Sequence, residues 1–132
     1  MDRVIFACVR NAGRSQMAAA LFNTMADGAR ASAISAGTAP AGRVHPEVVD
    51  VMREAGIDLS AAKPQLLTRE LAAGAGWLVT MGCADACPIL PGTRVIDWPL
   101  PDPKGQPADR VREIRDEIRR RVEALIAEQH WA

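Results

Sequence analysis

Apolar positions follow two rhythms along this chain, and the switches between them mark out its elements. Val4-Ile5-Phe6-Ala7 is a continuous apolar run, the pattern of a buried strand. Cys8 ends it, and Val9-Arg10-Asn11-Ala12-Gly13 turns the chain towards Arg14 and Ser15. Gln16-Met17-Ala18-Ala19-Ala20-Leu21-Phe22 is then rich in helix formers. Asp27-Gly28 stops that helix, and Ala31 to Gly37 predicts a second short strand. Thr38 to Val44 holds Gly and Pro and reads as a loop. A helix opens at His45-Pro46-Glu47, with Pro46 in the first turn, where its missing N–H matters least. It runs to about Ala55 and ends at Gly56. Thr68, Leu71 and Ala72 predict a short helix reaching Gly74. Trp77 to Met81 reads as a buried third strand and Thr93 to Ile96 as a fourth. From Ala108 to Gln129, Val111, Ile114, Ile118, Val122, Leu125 and Ile126 recur at spacings of three and four, an amphipathic helix. Its other face mixes Arg112, Arg115, Arg119, Arg120 and Arg121 with Asp116, Glu117 and Glu123.

Strands alternating with helices predict an α/β fold with parallel pairing and right-handed crossovers. The expected architecture is one domain over residues 1–132, a four-stranded parallel sheet in the order 2-1-3-4 with helices on both faces. The first strand is then central, and Cys8 sits at its C-terminal end, at the switch point where open α/β sheets bind ligands.

Composition narrows the classes. Hydrophobic residues make up 48% and charged residues 24%, ordinary for a globular protein. The formal net charge of zero gives no bulk attraction to nucleic acid or to a membrane surface. No stretch is long enough to span a bilayer and no leader pattern precedes the first strand, so a cytoplasmic protein is expected. Its three cysteines are an odd number, and in a reducing compartment they point to chemistry more than to scaffolding.

The first cysteine carries the clearest signal. A loop that feeds a helix N-terminus gathers backbone N–H groups at one spot, where the helix dipole adds positive potential. Such a cup binds a tetrahedral oxyanion and favours a thiolate at Cys8. Arg14 adds a planar fork able to hold two oxyanion oxygens. The spacing Cys-x5-Arg followed by Ser, here CVRNAGRS, is the phosphate-loop pattern of cysteine-dependent phosphatases. Neither His45, at a helix start, nor His130, near the C-terminus, is placed by the sequence as a base for Cys8. His45 reads as a surface residue.

Cys83 and Cys87 follow the third strand. In a single helical turn they would share a face about 6 Å apart at Cα, within disulfide range. Zinc is the other use of clustered cysteines, but the three lack the partners of a tetrahedral set, and no metal is expected. Asp97-Trp98-Pro99-Leu100-Pro101-Asp102-Pro103 is too proline-rich for helix or sheet. Asp102, held between prolines, is the better candidate for general-acid work, with Asp97 as its rival.

Taken together, these stretches resemble an arsenate reductase built on the low-molecular-weight protein tyrosine phosphatase fold, over essentially the whole chain. CVRNAGRSQMAAA resembles the family's first loop and helix, and ISAGT its second strand. VTMGCADACPILPG resembles the segment with two resolving cysteines, and DWPLPDP the loop with the general acid. The resemblance implies attack of Cys8 on arsenate, with Val9, Arg10, Asn11, Ala12, Gly13 and Arg14 holding the oxyanion. It implies that Ser15 donates a hydrogen bond to the Cys8 sulfur and that Asp102 protonates the departing oxygen. It further implies a relay from a Cys8–Cys83 to a Cys83–Cys87 disulfide, reset by an external thiol reductant of the thioredoxin type.

Departures from the family pattern also matter. The pair is CxxxC, shorter than the spacing usual in thioredoxin-coupled relatives, and Gly13 stands where some relatives have a further cysteine. The family's potassium site uses acidic residues where this chain has Ala19 and Gln65. Although Asn11 and Ser35 match, no potassium ion and no other bound cofactor is expected. Phosphate and sulfate should compete with arsenate, and a monomer is expected. Two other readings stay open: a phosphatase for phosphotyrosine or small phosphoesters, and an oxyanion- or arsenic-binding redox sensor. Against the first, the chain has no Tyr and 4% aromatics, which leaves Trp98 to wall a phenol pocket. Thioredoxin, glutaredoxin and a low-molecular-weight thiol all remain possible electron donors.

Overall fold

A computed structural model describes residues 1–83, 87 and 91–132. Its elements are β1 (Asp2–Cys8), α1 (Arg14–Met25), β2 (Ala31–Gly37), α2 (Pro46–Glu54), α3 (Arg69–Ala73), β3 (Trp77–Thr80), β4 (Arg94–Asp97) and α4 (Ala108–Gln129). The four strands form one sheet in the order β2-β1-β3-β4, every pairing parallel. That is the expected order, and β1 is central. Its Val4, Ile5, Phe6 and Ala7 are fully buried because both sheet faces are covered.

Register decides where the chemistry falls. Cys8 stands opposite Gly37, Ala7 opposite Thr80, and Thr80 opposite Asp97. All four strands therefore finish at one edge, and the segments after β1, β3 and β4 leave from it together.

The two faces of the sheet are unequal. Val4, Phe6 and Cys8 feed the larger core, with residues of α1, α2 and α4. Ile5 and Ala7 point the other way, into a smaller cluster with Leu67, Ala72, Ala75, Leu78, Cys83 and Cys87. This follows from the period of two along a strand. An aromatic chain runs through the larger core. Trp98 packs on Phe6 at 5.7 Å, Phe6 on Phe22 at 5.9 Å, Phe22 on Trp131 at 5.7 Å, and Trp131 on Trp77 at 5.4 Å. Removing a fully buried ring such as Phe6 would cost about 3–5 kcal/mol.

Outside, α4 is tied to α2 by Glu54, which accepts a two-pronged bond from Arg112 at 2.8 and 2.9 Å and a third from Arg115 at 3.2 Å. The Arg112 hydrogen bond holds the Glu54 carboxyl below its ordinary range. No described helix is long and apolar enough to cross a membrane. As the sequence predicts, two helices, α2 and the short α3, both precede β3. The connection from β3 to β4, and with it the expected helical turn from Cys83 to Cys87, lies partly outside the described residues.

Candidate active site

The loop between β1 and α1 is held from outside by its own carbonyls. Those of Cys8, Val9, Arg10 and Ala12 accept from the amides of Thr38, Ala39, Ala41 and His45. Among the described residues, no amide from Val9 to Gly13 donates to a protein group. The chain that follows β2 approaches this closely because Gly37 has no side chain. A Cβ there would stand 2.6 Å from the Val9 carbonyl oxygen.

Asn11 is the polar centre of the loop. It is fully buried and left-handed, with φ 50°, a conformation Asn tolerates better than most residues. Asn11 Nδ2 donates to Ser15 Oγ at 2.7 Å, and Ser15 Oγ lies 2.9 Å from Cys8 Sγ. Asn11 Oδ1 accepts from the Gln65 amide at 3.0 Å and from Gln16 Nε2 at 3.2 Å. Gln16 Nε2 also donates to the Asn11 carbonyl at 3.0 Å and to that of Lys63 at 3.4 Å. Cys8 itself is a free thiol with 2% exposure.

Those bonds also answer the potassium question. Ser35 O accepts from Gln65 Nε2 at 2.8 Å, so the Asn11 and Ser35 oxygens matching the family's ion site already accept N–H groups. With Ala19 and Gln65 uncharged and these oxygens already accepting, the residues present do not fit a cation. Among the described residues, no cluster of three or more His, Cys, Asp or Glu could hold a metal.

Arg14 and Asp102 reach the loop from different elements. Arg14 Nη1 donates to the Leu100 carbonyl at 2.9 Å, which ties the helix start to the loop after β4. The guanidinium lies against Gly82, where a Cβ would come within 2.6 Å of Nη1. In the same loop Asp102 is exposed and accepts from the Lys104 amide at 3.0 Å. Its neighbour Pro103 is buried over Gly13, where an added Cβ would meet Pro103 Cγ at 2.7 Å.

Cys83 and Cys87 form a disulfide, with Cα atoms 5.7 Å apart, in line with the distance expected from their spacing. Both are buried, and Cys83 Sγ lies 3.7 Å from the Ala7 carbonyl. The pair packs with Ile5 and Ala7, whereas Cys8 packs with Val4 and Phe6. Gly82, at φ +105°, is where the chain after β3 turns between them.

Two expectations need correction. Trp98 is 8% exposed, its ring packs on Phe6, and the pocket it helps to line is formed with Ile96 and the α4 residues Arg121, Ala124, Leu125 and Glu128, with no residue of the Cys8 loop. His45 is not a free surface residue. Its side chain is 14% exposed, its amide donates to the Ala12 carbonyl, and its Cδ2 would be 3.5 Å from a Cβ at Gly13. Sequence reasoning also passed over Gln16 and Gly82, and met Gln65 only as a departure at the family's ion site. The available signal for Gln16 was a polar side chain within the run Ser15 to Ala19, all of which is buried.

A free cysteine under an anion-binding loop, with an arginine on the following helix, defines a cysteine-dependent oxyanion enzyme fold. The sequence signature of the low molecular weight phosphotyrosine protein phosphatases matches residues 3–130, and the chain belongs to that family. Within it, a provisionally named arsenate reductase of Halobacterium salinarum is 40% identical, over 93% of this chain and 89% of that protein. A glutaredoxin arsenate reductase of Synechocystis is 35% identical, over 96% of this chain and 98% of that protein. The structure of a thioredoxin-dependent arsenate reductase of Corynebacterium glutamicum superimposes with a TM-score of 0.84 at 38% identity and covers 97% of this chain. This chain spans only 61% of the length of that one.

Proposed function

We propose that this chain reduces arsenate to arsenite, with Cys8 as nucleophile and Cys83 and Cys87 as the dithiol that supplies the electrons. The observation that carries this reading is a free cysteine in an oxyanion loop beside a second, disulfide-bonded pair at the same sheet edge. Phosphoester hydrolysis needs the loop and a general acid but no redox pair. The pocket that Trp98 lines includes no residue of the Cys8 loop, which counts against a phenol-binding wall there, and the named relatives support the reductase.

In the first step the Cys8 thiolate forms a sulfur–arsenic(V) bond while an oxygen leaves arsenic as water, protonated by Asp102. The free loop amides from Val9 to Gly13 and the Arg14 guanidinium hold the remaining oxygens. Cys83 then attacks the Cys8 sulfur. The sulfur–arsenic bond breaks with its electron pair left on arsenic, which departs as arsenite, and a Cys8–Cys83 disulfide forms. Cys87 attacks Cys83 next, freeing Cys8 and leaving the Cys83–Cys87 bridge. An external dithiol protein of the thioredoxin or glutaredoxin class reduces that bridge and closes the cycle. Phosphate and sulfate, of the same shape and charge type, compete for the loop.

The test is one turnover by pre-reduced protein without external reductant, followed by disulfide mapping. One arsenite per chain with a Cys83–Cys87 bridge is expected. Arrest at a thiol or arsenic adduct on Cys8 would transfer the second step to an external thiol. Rapid phosphoester hydrolysis with no arsenite would establish a phosphatase instead.

A further inference from the structure

Backbone groups settle the direction of the side-chain hydrogen bonds that lead to Ser15, the neighbour of Cys8. A backbone N–H can only donate, so the Asn11 atom facing the Gln65 amide must be its oxygen. Backbone carbonyls can only accept, so the Gln16 atom facing those of Asn11 and Lys63 must be its NH2 group. With Asn11 Oδ1 turned towards Gln65 and Gln16, its Nδ2 is the atom that meets Ser15. Ser15 Oγ accepts there and keeps its own proton, which is free to serve the Cys8 sulfur 2.9 Å away. A Cys8 thiolate has no proton to give and can only accept from Ser15, and an acceptor with negative charge gains most from such a bond.

We infer that Gln16 is a positioning residue for Cys8, acting through Asn11 and Ser15 to keep the Ser15 proton on the sulfur. Its side chain is 6% exposed and touches neither Cys8 nor the loop's concave side among the bonds described. It braces Asn11 by two of that residue's oxygens at once and anchors both to the Lys63 carbonyl. Without it, Asn11 Oδ1 keeps only the Gln65 amide, and the left-handed Asn11 backbone loses its one side-chain donor. Asn11 can then turn its amide, Ser15 can give its proton to Asn11 instead, and the thiolate loses its donor.

The inference rests on the reading of Cys8 as a thiolate nucleophile, but its test does not use arsenate. In a Cys83→Ala, Cys87→Ala background Cys8 is the sole thiol, and iodoacetamide alkylation reads its thiolate. Gln16→Met keeps length and bulk while removing the donors. At about pH 6 alkylation should slow roughly five- to tenfold, and at about pH 9.5, above the ordinary thiol range, it should not change. Added to Ser15→Ala, Gln16→Met should slow the reaction no further, because the path to Cys8 is already cut. Equal slowing at both pH values would mean altered access and overturn the inference. So would unchanged rates, or an additional loss in the Ser15→Ala protein. If Gln16→Met does not fold by thermal melting, Gln16→Leu takes its place. Failure of both to fold would make Gln16 a packing residue, also against the inference. A chain that proves unable to reduce arsenate can still pass or fail each of these arms.

Discussion

Cys8 and Cys83 leave the ends of neighbouring strands, yet one is surrounded by polar groups and the other by apolar ones. Around Cys8, the loop carbonyls, Asn11, Ser15, Gln16 and Gln65 are joined by hydrogen bonds of 2.7 to 3.3 Å. Around Cys83 and Cys87, the described neighbours are Ile5, Ala7, Leu67, Ala72 and Leu78, and the polar contact of Cys83 is a long one, to the Ala7 carbonyl. Hydrogen bonds are directional and fix atoms in place. Apolar contacts are not, and they accept a neutral disulfide where a charged group would be costly. Under the proposed function, one region suits a charge held still, and the other a bond that changes partners. In the proposed relay Cys83, packed with Ile5 and Ala7, has to reach Cys8, packed with Val4 and Phe6. A directionless apolar pocket resists that movement less than a hydrogen-bonded one would.

Removing the nucleophile tests the separation most severely. Cys8→Ser should lower both arsenate reduction and small-phosphoester cleavage by at least about 10^4-fold. Cys83→Ser and Cys87→Ser should abolish steady-state reduction with a dithiol donor but leave phosphoester cleavage within about twofold. A large loss of that cleavage in either pair variant would show that the regions are not independent.

Asp102→Asn comes next. It keeps the bond from the Lys104 amide in reach but cannot give a proton, so kcat should fall by about 10^2- to 10^3-fold with KM nearly unchanged. The pair should still form its bridge when oxidised chemically. A rise in KM with kcat intact would assign Asp102 to binding.

Gly82→Ala strikes where the regions meet. A side chain there adopts φ +105° and collides with Arg14 Nη1. The cost should be about 1–3 kcal/mol in denaturant unfolding, together with a several-fold rise in KM for arsenate as Arg14 is displaced. Lost stability with an unaltered KM would show that Arg14 relaxes without consequence.

The smallest effect lies away from both regions. Glu54 is held below the ordinary carboxylate range by its bond to Arg112. Its folded value is the lower one, so its stabilisation is present above the usual carboxylate range and fades as pH falls through the depressed value. The pair is exposed, so the change is modest and screened by salt. Thermal melts of the parent and Glu54→Gln should differ slightly at neutral pH and converge in acid, with arsenate reduction unaffected throughout.

Local pattern by itself determined the strand–loop–helix that carries Cys8 and Arg14, the parallel sheet order, and the span of α4, which runs from Ala108 to Gln129 as its periodicity predicts. Each of these follows from residues close in sequence: a period of two or of 3.6, a breaker, a capping position. It also brought Cys83 and Cys87 within disulfide reach, because four residues of chain limit their separation. What only the tertiary structure decided depends on distant partners. Trp98 is core because Phe6 lies under it, and His45 joins the loop because the chain after β2 folds back on Ala12. Gln16 finds Lys63, and Asn11 finds Gln65, only when the chain before α3 reaches the loop. Cys83 packs with Ile5 and Ala7 while Cys8 packs with Val4 and Phe6, and no period along the β3 strand encodes that. A buried polar group takes whichever partner the fold brings, and the fold is what a linear pattern leaves out.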